Sequence, residues 1–380
     1  MRPHKPLLII IVALLLPSLC GCGSLGAKRL DPEQIRVMQT MGLDAAPGGV
    51  LLSLGAAAGV KEADAPVCLS AAGRSVSDAM DRMRQHAPEE TLFCGHLRHM
   101  LIGGDLARQD LAPVLAYICR SSDARLDMPL YLVDNATARE AMTRTGGGDK
   151  SVSQLLDAIR NNDELSRLLT ASHILRSLSR HGGALMYSLT LTRSAEDEST
   201  GAAETGGLIL APSGLAVLRG DRFCRQLAPE DSLGAALLLG VVTPQPLVLE
   251  DGDGRAVTLE ISGGSARATP LWDETGRLEG IAVEAQLRAA VLEDGGASLA
   301  DPERSAALTA GLEAAVSRRL LSVLQLEKEL GCDFLGLGEQ IEAAAPLAYR
   351  RSGGALGPLL PDLALQVTVR AELDHSNDLN

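Results

Sequence analysis

A row of large aliphatic residues near the end of the chain constrains the fold more than any other stretch. They recur every three or four positions, the period of one helix face. The row consists of Leu308, Leu312, Val316, Leu320, Val323, Leu326 and Leu330. Asp301 and Pro302 precede it as cap and first helical residue, and Gly331 follows as a stop. The sequence therefore predicts a long helix over 302–330. We expect its aliphatic face to be core, the alternative being an exposed surface for a partner.

Apolar runs bounded by glycine, asparagine, aspartate and proline predict strands in both halves of the chain. In the first half these strands cover 35–41, 50–54, 91–102, 128–133 and 184–192. In the second half they cover 208–210, 215–218, 247–250, 256–261, 266–271, 280–290 and 364–372. Helices are predicted between and after them, one after Ser75 and another at the capping box formed by Ser151 and Gln154. The pattern indicates a multi-domain α+β fold with mixed and antiparallel sheets and packed helices.

Residues 194–206 are polar or small and contain no large apolar side chain. This composition is typical of a linker. We predict an N-terminal domain over 22–193 and a C-terminal α+β domain over 207–375, which contains the long helix.

The N-terminus carries an export pattern, with two basic residues ahead of the apolar run 7–16. The run is too short to cross a membrane, which takes about 20 apolar residues. Leu19, Gly21 and Cys22 follow it and resemble the bacterial lipobox. That resemblance implies a signal peptide over 1–21, cleavage between Gly21 and Cys22, and a diacylglyceryl group on the Cys22 thiol. The alternative is a plain secretory signal with an incidental cysteine.

Charge and cysteine content exclude several classes of partner and chemistry. The formal charge is −13, and removal of the signal, which has two basic residues and no acid, leaves −15. Such a surface repels nucleic acid and anionic lipid, so we expect no nucleic-acid partner and attachment to membrane lipid only through Cys22. Five later cysteines, none in a CxxC pair, are expected to be small buried residues, with one oxidised pair left open: Cys68, Cys94, Cys119, Cys224 and Cys332.

Three stretches invite a ligand site, and each fails on spacing. Cys94, His96 and His99 would lie on one predicted strand, where positions 96 and 99 point to opposite faces. We therefore expect His96 to be a buried imidazole, hydrogen-bonded to backbone at a tight turn, rather than a metal ligand. The glycine run at 146–151 has an aspartate ahead of its lysine, unlike a phosphate-binding loop. The turn at 251–254 lacks the glycine that a calcium loop needs at its sixth position. No cofactor, metal or catalytic site is predicted.

Four separated segments of the chain together form one further pattern. They contain Gly95-His96, Arg120 with Arg125, Gly220-Asp221, and Asp333 with Gly336 and Gly338. In order and spacing these segments resemble the Ger(x)C family, the lipoprotein subunit of spore germinant receptors. Ser121 and Ser122 depart from the family pattern: Ser121 stands where the family has an acidic residue, and Ser122 replaces the residue that follows it. Tyr349 and Leu356 stand nearest the places of two family tryptophans.

The resemblance implies a non-enzymatic lipoprotein on the outer face of the spore inner membrane. It would act in germination beside integral membrane subunits of a nutrient receptor, with the motif residues in structural or interaction roles. Arg120 and Arg125 could bind a partner's carboxylate or make internal ion pairs, and we favour the internal pairs. The runner-up function is a solute-binding lipoprotein of an importer. Few aromatic residues and the antiparallel strands of 247–290 speak against it.

Overall fold

The computed structural model describes residues 35–56, 68–86, 91–145, 151–193, 208–251, 254–293 and 302–374. In these ranges it contains two β-sheets with helices packed on them, which confirms the predicted α+β class. The signal peptide, Cys22, the polar segment 194–206 and the helix cap Asp301 lie outside the described residues.

The first sheet is mixed and has the strand order β3-β2-β1-β5-β6-β7-β8-β9, with β4 also paired to β1. Its strands are β1 (Ile35–Ala46), β2 (Gly49–Ala56), β3 (Cys68–Gly73), β4 (Thr91–Phe93), β5 (His99–Gly103), β6 (Leu130–Val133), β7 (Gly183–Arg193), β8 (Leu208–Arg219) and β9 (Arg222–Leu227). Strands β1, β4, β5, β6 and β7 run parallel, and the other pairs are antiparallel. The first residues of the parallel strands therefore lie at one edge of this sheet, which we name the leading edge.

Helices cover both faces of the first sheet. The described helices are α1 (Val76–His86), α2 (Gly104–Gln109), α3 (Ala112–Arg120), α4 (Ala138–Arg144), α5 (Val152–Asn162), α6 (Glu164–Leu168), α7 (Ala171–His181), α8 (Pro229–Leu239), α9 (Pro302–Leu330), α10 (Leu337–Ala344) and α11 (Pro346–Arg351). Strand β6 shows the division, because Leu130 and Leu132 join the core under α1, α2, α3 and α7. Tyr131 and Val133 join the core under α4, α5, α6 and α8. A strand buried on both faces reads as an uninterrupted apolar run.

The second sheet has the order β10-β11-β12-β13, and its core is continuous with one face of the first sheet. Its strands are β10 (Gln245–Glu250), β11 (Ala256–Trp272), β12 (Leu278–Glu293) and β13 (Ala364–Asp374). Helix α9 packs against this sheet and also protects its edge, since the Glu313 carboxylate accepts a hydrogen bond from the Ala371 amide at 3.0 Å. An edge strand covered in this way has fewer free groups for pairing with other chains.

Two helix features predicted from local sequence patterns are present in the structure. Helix α9 ends at Leu330, as predicted, and Leu308, Leu312, Val316, Leu320 and Val323 are buried along it. The capping box is also present, with the Ser151 hydroxyl accepting from the Gln154 amide and the Gln154 side chain accepting from the Ser151 amide.

Several predicted strand boundaries were wrong. Residues 91–102 form two strands, because a turn closed by the Leu97 amide and the Cys94 carbonyl separates β4 from β5. The opposite error occurred where glycine suggested a turn. Residues 208–210 and 215–218 belong to one strand, and so do 256–261 and 266–271. Register shifts near Gly214 and Gly263 show bulges, which admit one extra residue without ending the strand.

The polar segment 194–206 joins β7 to β8, and these two strands pair antiparallel from Arg193 and Leu208 onward. The first sheet therefore extends past this segment to β9. A domain boundary at 194–206 stays a prediction.

The buried face of α9 gives a stability test. Leu320 is fully buried, whereas Leu347 on α11 is 72% exposed. We expect Leu320→Ala to lower the free energy of unfolding by ~2–5 kcal/mol, because it leaves a cavity in the core. Leu347→Ala is the matched control and should change little. Denaturant unfolding of both variants checks this, and equal stability of the two would contradict the burial of the stripe.

Candidate functional site at the junction of the two sheets

The motif residues fall into two groups in space. Gly220, Asp333, Gly336 and Gly338 meet where the segment after α9 touches the first sheet, and Asp221 follows Gly220 at the turn into β9. We name this place the junction cluster, formed by His181, Gly220, Glu327, Asp333, Gly336, Gly338, Glu339 and Tyr349. The other motif residues lie in the turn before β5 and in the segment that runs from the end of α3 to β6.

Asp333 is the centre of the junction cluster and is only 1% exposed. Its Oδ1 accepts a hydrogen bond from the Leu337 amide at 2.7 Å, and its Oδ2 accepts one from the Gly338 amide at 2.8 Å. These amides belong to the first turn of α10, where a negative charge is favoured. Gly336 caps that helix with φ of +75°, a conformation that suits glycine. The carboxylate thus fixes the loop between α9 and α10.

Backbone contacts tie this loop to the first sheet. Asp333 forms a parallel β-bridge with Gly182, at the turn between α7 and β7. The Gly220 amide donates to the Gly182 carbonyl at 2.7 Å, and the Asp221 carbonyl accepts from the Leu111 amide at 2.8 Å. Gly220 therefore contributes a backbone group to the junction, whereas the Asp221 carbonyl holds the segment between α2 and α3.

His181 adds an electrostatic bond across the junction. Its Nδ1 lies 3.3 Å from Asp333 Oδ2, and its Nε2 lies 3.3 Å from Glu339 Oε1. The Arg180 guanidinium also contacts Glu339, at 2.7 Å. The hydrogen bond to Asp333 raises the pKa of His181 against the opposing effect of burial. An imidazolium placed between two carboxylates strengthens this contact.

Glu327 is a second acid in the junction cluster and is completely buried on α9. Its Oε1 accepts from the Leu335 amide at 2.8 Å, while no described residue donates to its Oε2. Burial, followed by the negative charge of Asp333, raises the pKa of Glu327 well above its usual range. We therefore interpret Glu327 as a neutral acid, since two close buried carboxylates do not both ionise.

Gly338 allows the junction to close. A Cβ at this position would lie 2.6 Å from Tyr349 Oη and 2.8 Å from Asp333 Oδ2. Leu356 is the next neighbour, at 3.5 Å. Tyr349 and Leu356 are both buried, so the residues at the two expected tryptophan places pack around this loop. Burial raises the pKa of Tyr349 to about 12.

The second group begins with Gly95 and His96, in the turn between β4 and β5. His96 lies in a turn, as predicted, but its side chain is exposed and not buried. Its ring lies edge-on to Phe93, with centroids 5.5 Å apart. The buried imidazole is His99, whose Nε2 is 2.9 Å from Asp157 Oδ1. Burial lowers the pKa of His99 to about 4, so it is neutral at pH 7.

The two motif arginines have different surroundings. Arg125 makes a bidentate contact with Asp127, from Nε at 2.9 Å and Nη2 at 2.8 Å, which agrees with the favoured internal pairing. Arg120 is exposed at the end of α3 and makes no ion pair with a described residue. It lines a groove of about 430 Å³ between α1 and α3, together with Ser121 and Ser122.

The prediction of buried cysteines holds only in part. Cys94 and Cys332 are buried, whereas Cys119 and Cys224 are exposed, and all the described cysteines are unpaired. Within the described ranges, no group of three or more histidine, cysteine, aspartate or glutamate side chains could hold a metal ion. No helix in that part of the chain is both long enough and apolar enough to cross a membrane.

Three residues of the junction cluster were missed in the sequence: His181, Glu327 and Glu339. Glu327 left a usable signal, because an acid that follows Val323 and Leu324 on a buried helix face demands a polar partner. His181 left none, since its partner Asp333 is far along the chain and no local spacing relates the two.

Comparisons with known proteins agree with this architecture. A family model described as the spore germination protein N-terminal domain matches residues 28–190. A second, described as spore germination B3/GerAC like, C-terminal, matches residues 213–377. Together they cover most of the chain. The chain therefore belongs to the Ger(x)C family of spore germination proteins, the C subunits of germinant receptors.

A solved structure shares the fold. It is described as the crystal structure of the GerBC protein and superposes with a TM-score of 0.57 at 14% sequence identity. The match covers 88% of this chain and 96% of that one. At this identity the likeness concerns the fold alone. A comparison with curated proteins finds no match.

The close packing at Gly338 gives a second test. Gly338→Ala should lower the free energy of unfolding by ~1–3 kcal/mol, because the added methyl overlaps buried Tyr349 and Asp333 atoms. Gly311→Ala, in the middle of α9 with its nearest atom 3.9 Å away, is the control. It should raise stability by ~0.5–1 kcal/mol by favouring the helix. A neutral Gly338→Ala would mean that the junction is loose.

Proposed function

We propose that this chain is a lipid-anchored, non-enzymatic subunit of a spore nutrient germinant receptor, acting as a scaffold for integral membrane subunits. One observation carries the proposal: His181, Asp333 and Glu339 of the junction cluster are bonded to one another and to backbone amides. Asp333, the most buried charge of the motif set, is fully engaged by two amides and His181. A catalytic or solute-binding carboxylate would instead present a free oxygen to its ligand.

The junction cluster suits a scaffold because it fixes the second sheet relative to the first. His181, Asp333 and Glu339 lie on segments that are distant in sequence yet share hydrogen bonds. A partner bound to one sheet would then contact a body in which the two sheets keep a fixed relative position. This differs from an importer's binding protein, which closes around its solute by moving two lobes.

The anchor in this proposal is the diacylglyceryl group on Cys22. Each buried CH₂ contributes about 0.8 kcal/mol, and two chains hold a protein on a bilayer where one binds only marginally. This would place the chain on the outer face of the spore inner membrane, beside the integral subunits. The net charge of −13 gives no attraction to anionic lipid, so the lipid group would supply the attachment.

Replacement of the anchored cysteine tests the attachment. In cells supplied with a fatty-acid probe, the wild-type chain should carry the label, and its mature N-terminus should be a lipid-modified Cys22. Cys22→Ala should carry no label, because the thiol that accepts the diacylglyceryl group is missing. Mass spectrometry of the N-terminal peptide gives the readout. Cys20→Ala is the matched control and should be labelled like wild type. A wild-type chain with an unmodified Cys22 would refute the anchor.

Co-purification tests the scaffold role and separates it from the importer alternative. A tagged full-length chain, extracted from spore membranes in mild detergent, should bring down integral membrane receptor subunits, identified by mass spectrometry. Recovery of a permease and an ATPase instead would favour the importer. Loss of the chain should abolish the response of spores to at least one nutrient. Unchanged germination with every nutrient that the spores normally sense would count against a receptor subunit.

A further inference from the structure

Exposed apolar side chains gather at one place on the first sheet. Ile35 and Val37 of β1 are 36% and 37% exposed, and Phe93 of β4 is 44% exposed. Val37 pairs with Phe93 and Ile35 with Thr91 in a parallel ladder, so these side chains share one face. Their neighbours Leu92 and Met38 are buried. Ile35, Val37 and Phe93 form a surface that we name the apolar patch.

The apolar patch lies at the leading edge. A fourth exposed side chain, Leu126 at 50%, belongs to the loop that enters β6 at this same edge. The other large apolar side chains found exposed in the described ranges are distributed over the second half: Val248, Leu292 and Leu347. Exposure of single apolar residues is ordinary, whereas a group on one face indicates a surface that contacts something.

The turn at Gly95 and His96 holds the Phe93 ring in this exposed position. A Cβ at residue 95 would lie 2.9 Å from Phe93 Cζ, so only glycine lets the ring approach the turn this closely. His96 also contacts the ring, edge-on at 5.5 Å between centroids. The ring therefore rests against the turn and is still 44% exposed.

The position of the patch in the chain selects its occupant. Ile35 is thirteen residues after Cys22, and a segment of that length spans at most about 45 Å even when fully extended. If Cys22 carries lipid, β1 is the first part of the described fold reached from the bilayer. The leading edge would then be held within this distance of the membrane at all times.

Two arginines at the leading edge are paired with acids. Arg98 pairs with Asp157 at 2.8 Å and Arg125 with Asp127 at 2.8 Å. Each pair is neutral as a unit, so Asp157 and Asp127 add no net negative charge beside the apolar patch. Aromatic and aliphatic side chains without net charge are suited to the boundary between head groups and acyl chains, at a depth of about 5–10 Å.

We propose that the apolar patch inserts into the head-group region of the bilayer and orients the molecule with its leading edge against the membrane. The inference rests on the proposed lipid anchor and adds a second, weak contact to it. Because the anchor supplies the affinity, the patch decides orientation: it keeps β1 and β4 next to the lipid.

Fluorescence quenching by brominated lipid tests the insertion. The full-length acylated chain is reconstituted in phosphatidylcholine vesicles whose acyl chains carry bromine near the head group. Neutral lipid is chosen so that electrostatic repulsion due to the net charge of −13 does not affect the contact with the vesicle. The wild-type chain has a single tryptophan, Trp272 on β11, which gives the background. Phe93→Trp adds a reporter in the patch, and Val248→Trp is the matched control, at a 62% exposed apolar position of the second sheet.

We expect brominated lipid to remove most of the emission added by Phe93→Trp and none of that added by Val248→Trp. Equal quenching of the two reporters would overturn the proposal, since the molecule would then lie on the lipid without a preferred face. An unquenched reporter at position 93 would overturn it as well. In that case, protection by co-reconstituted integral subunits would identify a protein as the occupant of the patch, and blue-shifted emission without them would identify the segment before Ile35.

The mass of the N-terminal peptide separates this result from the anchor itself. A chain without lipid on Cys22 refutes the proposed anchor, and the membrane contact of the patch falls with it. An acylated chain with an unquenched reporter leaves the anchor in place and refutes the patch alone. Gly95→Ala in the Phe93→Trp background gives a further readout. It should reduce quenching, because the added methyl displaces the ring from its support.

Discussion

The carboxylate of Asp333 is a charge that the fold removes almost entirely from water, at 1% exposure. An uncompensated buried charge costs several kcal/mol, so its partners must be in place whenever the molecule is folded. Two of them, the amides of Leu337 and Gly338, shape the loop after α9. The third, His181, is the last residue of α7, which packs on the first sheet. The Asp333 carboxylate therefore fixes both the conformation of this loop and its position on the first sheet. The second sheet is positioned as well, because it packs against α9.

Glu327 makes this arrangement possible on the helix side. It is fully buried, and its raised pKa keeps it neutral next to Asp333. An ionised Glu327 would repel Asp333, whereas the neutral acid still accepts from the Leu335 amide. A buried polar network of this kind adds less to stability than to specificity, because a slipped helix would leave its members unpaired. Such specificity would suit the scaffold role that we propose.

The sequence predicted those parts of the fold that depend on neighbours along the chain. The α9 stripe and the Ser151 capping box each involve contacts within a helix turn or two, so their spacing is visible. Strand limits were less predictable, because Gly214 and Gly263 can mark either a turn or a bulge and the partner strand decides. The meeting of His181 with Asp333 could not be predicted at all. Segments so far apart approach only through packing of the whole core, which leaves no periodic signal.

The two groups of motif residues use glycine in opposite ways. Gly338 removes a side chain so that Tyr349 and Asp333 can close together in the interior. Gly95 removes one so that the Phe93 ring can rest on a turn while remaining 44% exposed. Burying that ring would contribute about 1.5–3 kcal/mol, so a chain shaped by stability alone would not support it in the open. The position of Gly338 is explained by the packing of this chain alone, whereas the exposure of the Phe93 ring is not. If the apolar patch inserts into the bilayer, as we propose, the lipid supplies the missing burial.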